Sequence, residues 1–196
     1  VKQYNTSNSG DPIQNIVYAS SAAVAGPPED YTTSIDDNTP HKPLTHYGVF
    51  KIANEQSANI YWRESKIPSV GFRPHTIYGV GREQGITSGP SKAIKASILN
   101  RKFQIPFSGK TSFQFVEDVA DLFLAATFAK PSQALCLNIR GNILSSEEFV
   151  KILNEVVPES RGLVSVQDGA PTLPLAYDFG QKGLDRFLPN QQQTSI

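Results

Sequence analysis

The chain has 196 residues, 39% of them hydrophobic, enough for one ordinary core or for one core and part of another. Eighteen basic residues balance eighteen acidic ones, so no net field is available to hold a polyanion or an anionic membrane surface, and nucleic acid and membrane are set aside as partners. A single cysteine, Cys136, excludes an internal disulfide framework and fits a reducing, cytoplasmic setting; three scattered histidines offer no metal-ligand spacing, and no metal is expected.

No apolar stretch approaches membrane-spanning length, and Val1 to Asn15 lacks the apolar core of a signal peptide. There is no methionine, which suggests a piece of a longer chain. The run Asn15 to Ser20 is short, apolar and partly β-branched, follows the turn-forming Gly10-Asp11-Pro12, and reads as a buried parallel strand that ends in Ser20 and Ser21. After a proline-rich stretch, Thr45 to Glu64 has helical composition, with Val49, Ile52, Ala53, Ile60 and Tyr61 expected on its buried face. Ser69 to Arg73 is a second strand, closed by Pro74, which cannot donate to a sheet ladder.

Gly89-Pro90 opens a helix expected to reach Arg101, and Val116 to Ala129 forms another with Val119, Ala120, Phe123, Leu124 and Phe128 facing inward. Leu135 to Ile139 is a third buried strand and holds Cys136 as a core residue. Ser145 and Glu148 match a capping box for a helix running to Val157. Strands alternating with helices imply an α/β fold with a parallel sheet.

In such a sheet, ligands bind beyond the carboxyl ends of the strands, where Ser20 and Ser21 lie. Tyr47 and Lys51 are four residues apart, one turn on the same helical face. A free phenol has a pKa of ~10, but a neighbouring ammonium favours its ionised form. A tyrosine tuned in this way can take the proton of a substrate hydroxyl as hydride leaves the same carbon, with a serine hydroxyl holding the oxygen. No side chain accepts a hydride, so a nicotinamide cofactor is required. The glycine run Gly79-Val80-Gly81-Arg82-Glu83-Gln84-Gly85 has the wrong spacing for a dinucleotide fingerprint and reads as a loop.

Tyr18 to Gly26, Tyr47-Gly48-Val49-Phe50-Lys51, Arg73 to Gly79 and Phe113 to Ala120 together resemble the extended short-chain dehydrogenase/reductase family, which includes the NAD-dependent epimerases and dehydratases. The resemblance implies the C-terminal part of a Rossmann-type parallel sheet with a smaller α+β substrate-binding region. It assigns residues 1–77 and about 112–140 to the cofactor domain, and about 78–111 and 141–196 to the substrate region, with the phosphate-binding half and a terminal helix outside this sequence. It also implies a catalytic trio of Ser21, Tyr47 and Lys51, and a cofactor, NAD or NADP, touching Ala19, Ser20, Tyr47, Lys51, Pro74 and His75.

Family members that eliminate water carry acidic residues after the position of Ser21; here Ala22 and Ala23 stand there, so an epimerase or a simple dehydrogenase is expected. The resemblance points to a sugar or nucleotide-sugar substrate touching Ser21, Thr76, Arg82, Lys110 and Thr111, and to a homodimer. Three positions depart from the family pattern: Thr111 stands where a diphosphate-binding arginine is usual, Thr76 where asparagine is usual, and Ala25 where tyrosine is frequent. Arg82, Lys110 or Arg101 could supply the missing cation. A free sugar acid or polyol, needing at most one cation, is the alternative substrate, and a non-catalytic nucleotide-binding module is the alternative class.

Overall fold

The computed structural model describes residues 1–10, 12–189 and 191–196; Asp11, part of the turn expected before the first strand, lies outside them. The chain begins with helix α1 (Lys2–Ser7), strand β1 (Ile16–Ala19), helix α2 (His46–Ser65) and strands β2 (Ser69–Arg73) and β3 (Thr76–Tyr78). It continues through α3 (Gly89–Ile98), β4 (Phe103–Ile105), β5 (Lys110–Phe115), α4 (Val116–Phe128) and β6 (Ala134–Asn138). The remaining elements are β7 (Asn142–Ser145), α5 (Ser146–Val156), β8 (Val164–Val166) and α6 (Lys182–Phe187). No helix among the described residues is long and apolar enough to cross a membrane.

The strands form three sheets. β1, β2 and β6 are all parallel, with Tyr18, Gly71 and Cys136 side by side across them. β5 lies between parallel β3 and antiparallel β7, and β4 pairs with β8. Alternation along the strands gives the first sheet two unlike faces. Val70, Phe72 and Leu137 pack with Val119, Leu122 and Ala126 of α4 and Leu184 of α6. Tyr18, Gly71, Arg73 and Cys136 point the other way, toward α2.

This polar face corrects the expected orientation of α2. The helix buries Gly48 and Glu55, while Val49, Ile60 and Tyr61 are about half exposed (49%, 52% and 53%) and Ala53 is also exposed. The sheet surface beneath α2 offers hydrogen-bonding groups rather than an apolar floor, so a carboxylate faces inward. The inward stripe of α4 is Val119, Leu122 and Ala126, with half-buried Phe123 against Phe72 at 5.0 Å between ring centroids. Ala120, Leu124 and Phe128, expected inside, lie roughly a third to half a turn away and are exposed. Asn15 closes the end of α4, its Nδ2 donating to the carbonyls of Ala126 at 3.0 Å and Ala129 at 3.1 Å.

Pro74 ends β2 as expected, and the chain changes sheets between Arg73 and Thr76. β5 belongs to the second sheet, whereas α4 returns to cover the first. The second core is aromatic: Phe113 stacks on Phe149 with centroids 4.9 Å apart, and Tyr78 meets both edge-on. Ser145 and Glu148 form the reciprocal capping box expected from their spacing, and α5 ends at Val156. Helix α3 ends at Ile98, three residues short of Arg101, and Asn100 takes a positive φ of 52° in the turn that follows.

Candidate active site

The carboxyl end of β1 passes into a short 3-10 turn, Ala22–Val24, against which the start of α2 is pressed. Gly48 makes this approach possible, because a Cβ there would overlap the carbonyl oxygen of Ala23. Thr45 caps the helix, its Oγ1 accepting from the Gly48 amide at 3.1 Å. Ser21, in extended conformation, caps the 3-10 turn by accepting from the Ala23 amide at 3.1 Å. Ala22 N–H donates to the Pro74 carbonyl at 2.9 Å, which ties the exit of β2 to the same place.

Tyr47, Lys51 and Glu55 occupy successive turns of one face of α2. The Lys51 ammonium donates to the Ala19 carbonyl at 2.8 Å and lies 5.4 Å from the centroid of the Tyr47 ring. Tyr47 is 55% exposed, so its phenol is open to a ligand. Tyr47, Lys51, Ala19 and Pro74 thus gather around the Ser20–Ala23 turn.

Ser20 differs from that expectation. It is buried, and its hydroxyl donates to Glu55 Oε1 in a very short contact. Glu55 is itself buried and accepts from Arg73 Nε at 2.9 Å and from its terminal nitrogen at 2.8 Å, a two-pronged pair. Burial works against the Glu55 carboxylate, but the hydrogen bonds and charge of Arg73 more than offset it, and the carboxyl is held below its ordinary range. Burial likewise disfavours the Arg73 cation, and Glu55 reverses this.

Arg73 also donates to the Asp37 carbonyl at 2.9 Å and to Asn138 Oδ1 at 3.1 Å. His41 Nε2 lies 3.0 Å from the guanidinium and 3.5 Å from Glu55. Arginine can only donate, so this ring nitrogen accepts and carries no proton to share with Glu55. Burial, then the Arg73 charge, lowers the His41 pKa in agreement. Beneath them, the Tyr18 hydroxyl and the Cys136 sulfur are 3.1 Å apart, and burial pushes the thiol up to about 11.

The residues expected at the substrate divide. Thr76 and Thr111 are buried and form a closed hydrogen-bonded trio with His75, which was expected at the cofactor. The threonine hydroxyls are 2.7 Å apart, and His75 Nδ1 lies 3.2 Å from one and 3.0 Å from the other. His75 Nε2 is 2.9 Å from the Ala176 carbonyl, which can only accept, so the neutral ring donates there and receives a threonine proton at Nδ1. Burial lowers its pKa to about 4, against the pull of the Ala176 bond.

Arg82 folds back onto its own loop, donating to Gln84 O and, at 3.0 Å, to Thr87 Oγ1. Lys110 and Arg101 are exposed. The Gly79–Gly85 segment is a loop, with all three glycines at positive φ, and it follows a strand of the second sheet.

A model of the NAD dependent epimerase/dehydratase family matches residues 7–135. The chain belongs to this family. A dTDP-D-glucose 4,6-dehydratase of Bos taurus is 27% identical over 177 residues, covering 84% of this chain and 48% of the relative. Among solved structures, UDP-N-acetylglucosamine 4-epimerase from Bacillus cereus superposes with a TM-score of 0.77 at 18% identity, over 99% of this chain and 65% of that one. A dTDP-glucose 4,6-dehydratase from Streptomyces venezuelae with NAD and TYD bound gives 0.73 at 16% identity, over 100% and 60%. At these identities the structural likeness shows the Rossmann-type α/β fold. The chain spans 20–48% of the length of the first curated relatives it matches and 57–65% of the first solved structures.

Glu55, Arg73, His41 and Asn138 were not among the residues singled out from the sequence of this epimerase/dehydratase family member. Two signals pointed to them. Glu55 continues the four-residue spacing of Tyr47 and Lys51, and Arg73 ends an otherwise uncharged buried strand, where a cation requires a partner.

Proposed function

We propose that the protein is an NAD-dependent epimerase acting on a sugar nucleotide, with Tyr47 as acid/base, Lys51 as its electrostatic partner and Ser21 as the holder of the substrate oxygen. The observation that carries this reading is the Lys51 ammonium, 2.8 Å from the Ala19 carbonyl and over the Tyr47 ring, at the carboxyl end of a parallel strand. Lys51 and the exposed phenol fit the nicotinamide-ribose end of NAD. Among the described residues, no glycine-rich turn joins a strand of the first sheet to a helix, so they do not themselves supply a seat for the pyrophosphate.

When bound, NAD supplies a hydride acceptor and donor. The protein's part is to move one proton. The Tyr47 oxygen takes the substrate hydroxyl proton as the carbon loses hydride and returns it when hydride comes back to the opposite face of the keto group. Ser21 donates to the substrate oxygen in its ketone form. Ala22 and Ala23 are buried, and neither can move a second proton, which favours epimerisation over loss of water.

Incubation with NAD and UDP- or dTDP-hexoses should yield C4 epimers without net NADH. Tyr47→Phe should lower kcat by about 10²–10⁴-fold while NAD still binds. Unchanged turnover in that variant, or no conversion across the panel, would sink the reading.

A second reading, an NAD-dependent dehydrogenase of a sugar acid or polyol, is favoured by one observation. Thr76 and Thr111 are sealed against each other and Arg82 is occupied by its own loop, so three residues expected to touch the substrate are otherwise engaged, and a threonine stands where a diphosphate-binding arginine is usual. It predicts stoichiometric NADH from aldonates, uronates or polyols.

A further inference from the structure

Lys51 and Glu55 stand four residues apart on α2, the spacing at which an ammonium and a carboxylate pair along a helix. Here each has another partner: Lys51 donates to the Ala19 carbonyl, and Glu55 meets Arg73 through both oxygens. Ser20 takes a further lone pair of the carboxylate, and it follows the residue that receives Lys51. The other ionisable groups around Glu55 are Tyr18 from β1, Cys136 from β6, and His41 and Asp37 from the segment before α2. His41 accepts from Arg73, and the phenol of Tyr18 and the thiol of Cys136 have no cationic form, so none of the three can replace the guanidinium as a cation. Among the described residues, only Arg73 neutralises Glu55 without drawing on Lys51.

We propose that Arg73 is a positioning residue: by holding both oxygens of Glu55 it keeps this carboxylate from capturing Lys51, and so leaves the ammonium to the Ala19 carbonyl and the Tyr47 ring. The consequence for proton transfer rests on the role given above to Tyr47 and Lys51; the pairing itself does not. In a partly buried setting a carboxylate one turn away outcompetes a carbonyl oxygen for an ammonium, because a full charge meets a full charge. Loss of Arg73 therefore redirects Lys51, and loss of Glu55 as well removes the competitor. Fold stability is regained in the same double variant, because no charge is then stranded, so the positioning role is read on the Ala19 carbonyl and on turnover per folded molecule.

The pairing can be read without a substrate. Alanine labelled with 13C at the carbonyl and serine labelled with 15N make two peptide bonds of this sequence visible together, Ala19–Ser20 and Ala96–Ser97. The first reports on the acceptor of Lys51, the second on remote α3. In Arg73→Met the Ala19 carbonyl signal should move toward its position in Lys51→Met, the Ala96–Ser97 signal should stay, and Glu55→Gln/Arg73→Met should restore the first. Arg73→Lys, which keeps the charge and frees one carboxylate oxygen, should move it partway and carries the test if Arg73→Met does not fold. An Ala19 signal unmoved in the folded single variants, or not restored in the double variant, overturns the proposal.

In the NAD-loaded protein with a converted UDP-hexose, Arg73→Met should lose about a hundredfold in kcat with KM within about threefold, and the double variant should regain at least about tenfold. A loss that only follows the folded fraction overturns the positioning role. The expected NMR changes without any turnover on the hexose panel would leave the pairing standing and remove the proposed reaction.

Discussion

On the first-sheet side of Pro74, the buried polar cluster is centred on two full charges, Glu55 against Arg73; on the second-sheet side, His75, Thr76 and Thr111 are joined by neutral hydrogen bonds alone. A buried charge must be matched by an opposite charge, whereas neutral groups need only matched donors and acceptors. The first cluster is therefore sensitive to removal of one partner, the second to the arrival of a proton. The charged cluster supports groups proposed to handle a proton, and the neutral one ties β3 to β5 and to the segment around Ala176.

The contrast is tested most severely by breaking the ion pair. Arg73→Met should destabilise the fold by about 3–5 kcal/mol in denaturant titrations, and Glu55→Gln/Arg73→Met should recover most of it, because one stranded charge costs more than none. A double variant no more stable than the single would place the damage in lost packing instead.

Gly48→Ala probes what brings the charged cluster and the open site together. The added methyl meets the backbone at Ala23, which cannot rotate away, so a cost of about 2–3 kcal/mol is expected together with a loss of turnover. Wild-type stability in this variant would show that α2 can shift freely over the 3-10 turn.

The neutral cluster should reveal itself through pH. The His75 pKa is lowered to about 4 from an ordinary 6.5, so between these values the unfolded chain binds a proton that the folded one refuses. That contribution is fully present above pH 6.5 and is lost as the pH falls toward 4, about 2 kcal/mol after allowance for the ring's partial exposure. His75→Asn should flatten the pH dependence of Tm across this window. An equally steep dependence in the variant would assign it to other groups.

The first sheet was readable because its strands are short, apolar and bounded by glycine, proline or polar residues, as Ser69 to Arg73 shows. The proximity of Tyr47, Lys51 and the turn after β1 was also readable, since Tyr47 and Lys51 share a helix face and Ser21 follows a strand. The ion pair of Glu55 was not: the carboxylate repeats their four-residue spacing, but its partner Arg73 is 18 residues away and no local spacing records a contact across elements. The expected inner face of α2 failed for a related reason. Periodicity counts apolar residues, and here the surface waiting beneath the helix is polar, a property of β1, β2 and β6 together. Short strands such as Phe103–Ile105 and Val164–Val166 leave too few residues for an alternation to show.

The segment after the 3-10 turn is fastened by residues made much later. Ile35 bridges to Phe179, its amide donates to the Asp178 carbonyl at 2.9 Å, and the Ala176 amide reaches back to Gly26 O at 2.8 Å. On the ribosome, at about 5–20 residues per second, residues 26–43 emerge roughly seven to thirty seconds before these fastenings exist. Until then the wall of the site is a nascent loop awaiting its clasp, a window in which a chaperone or a protease would find it open.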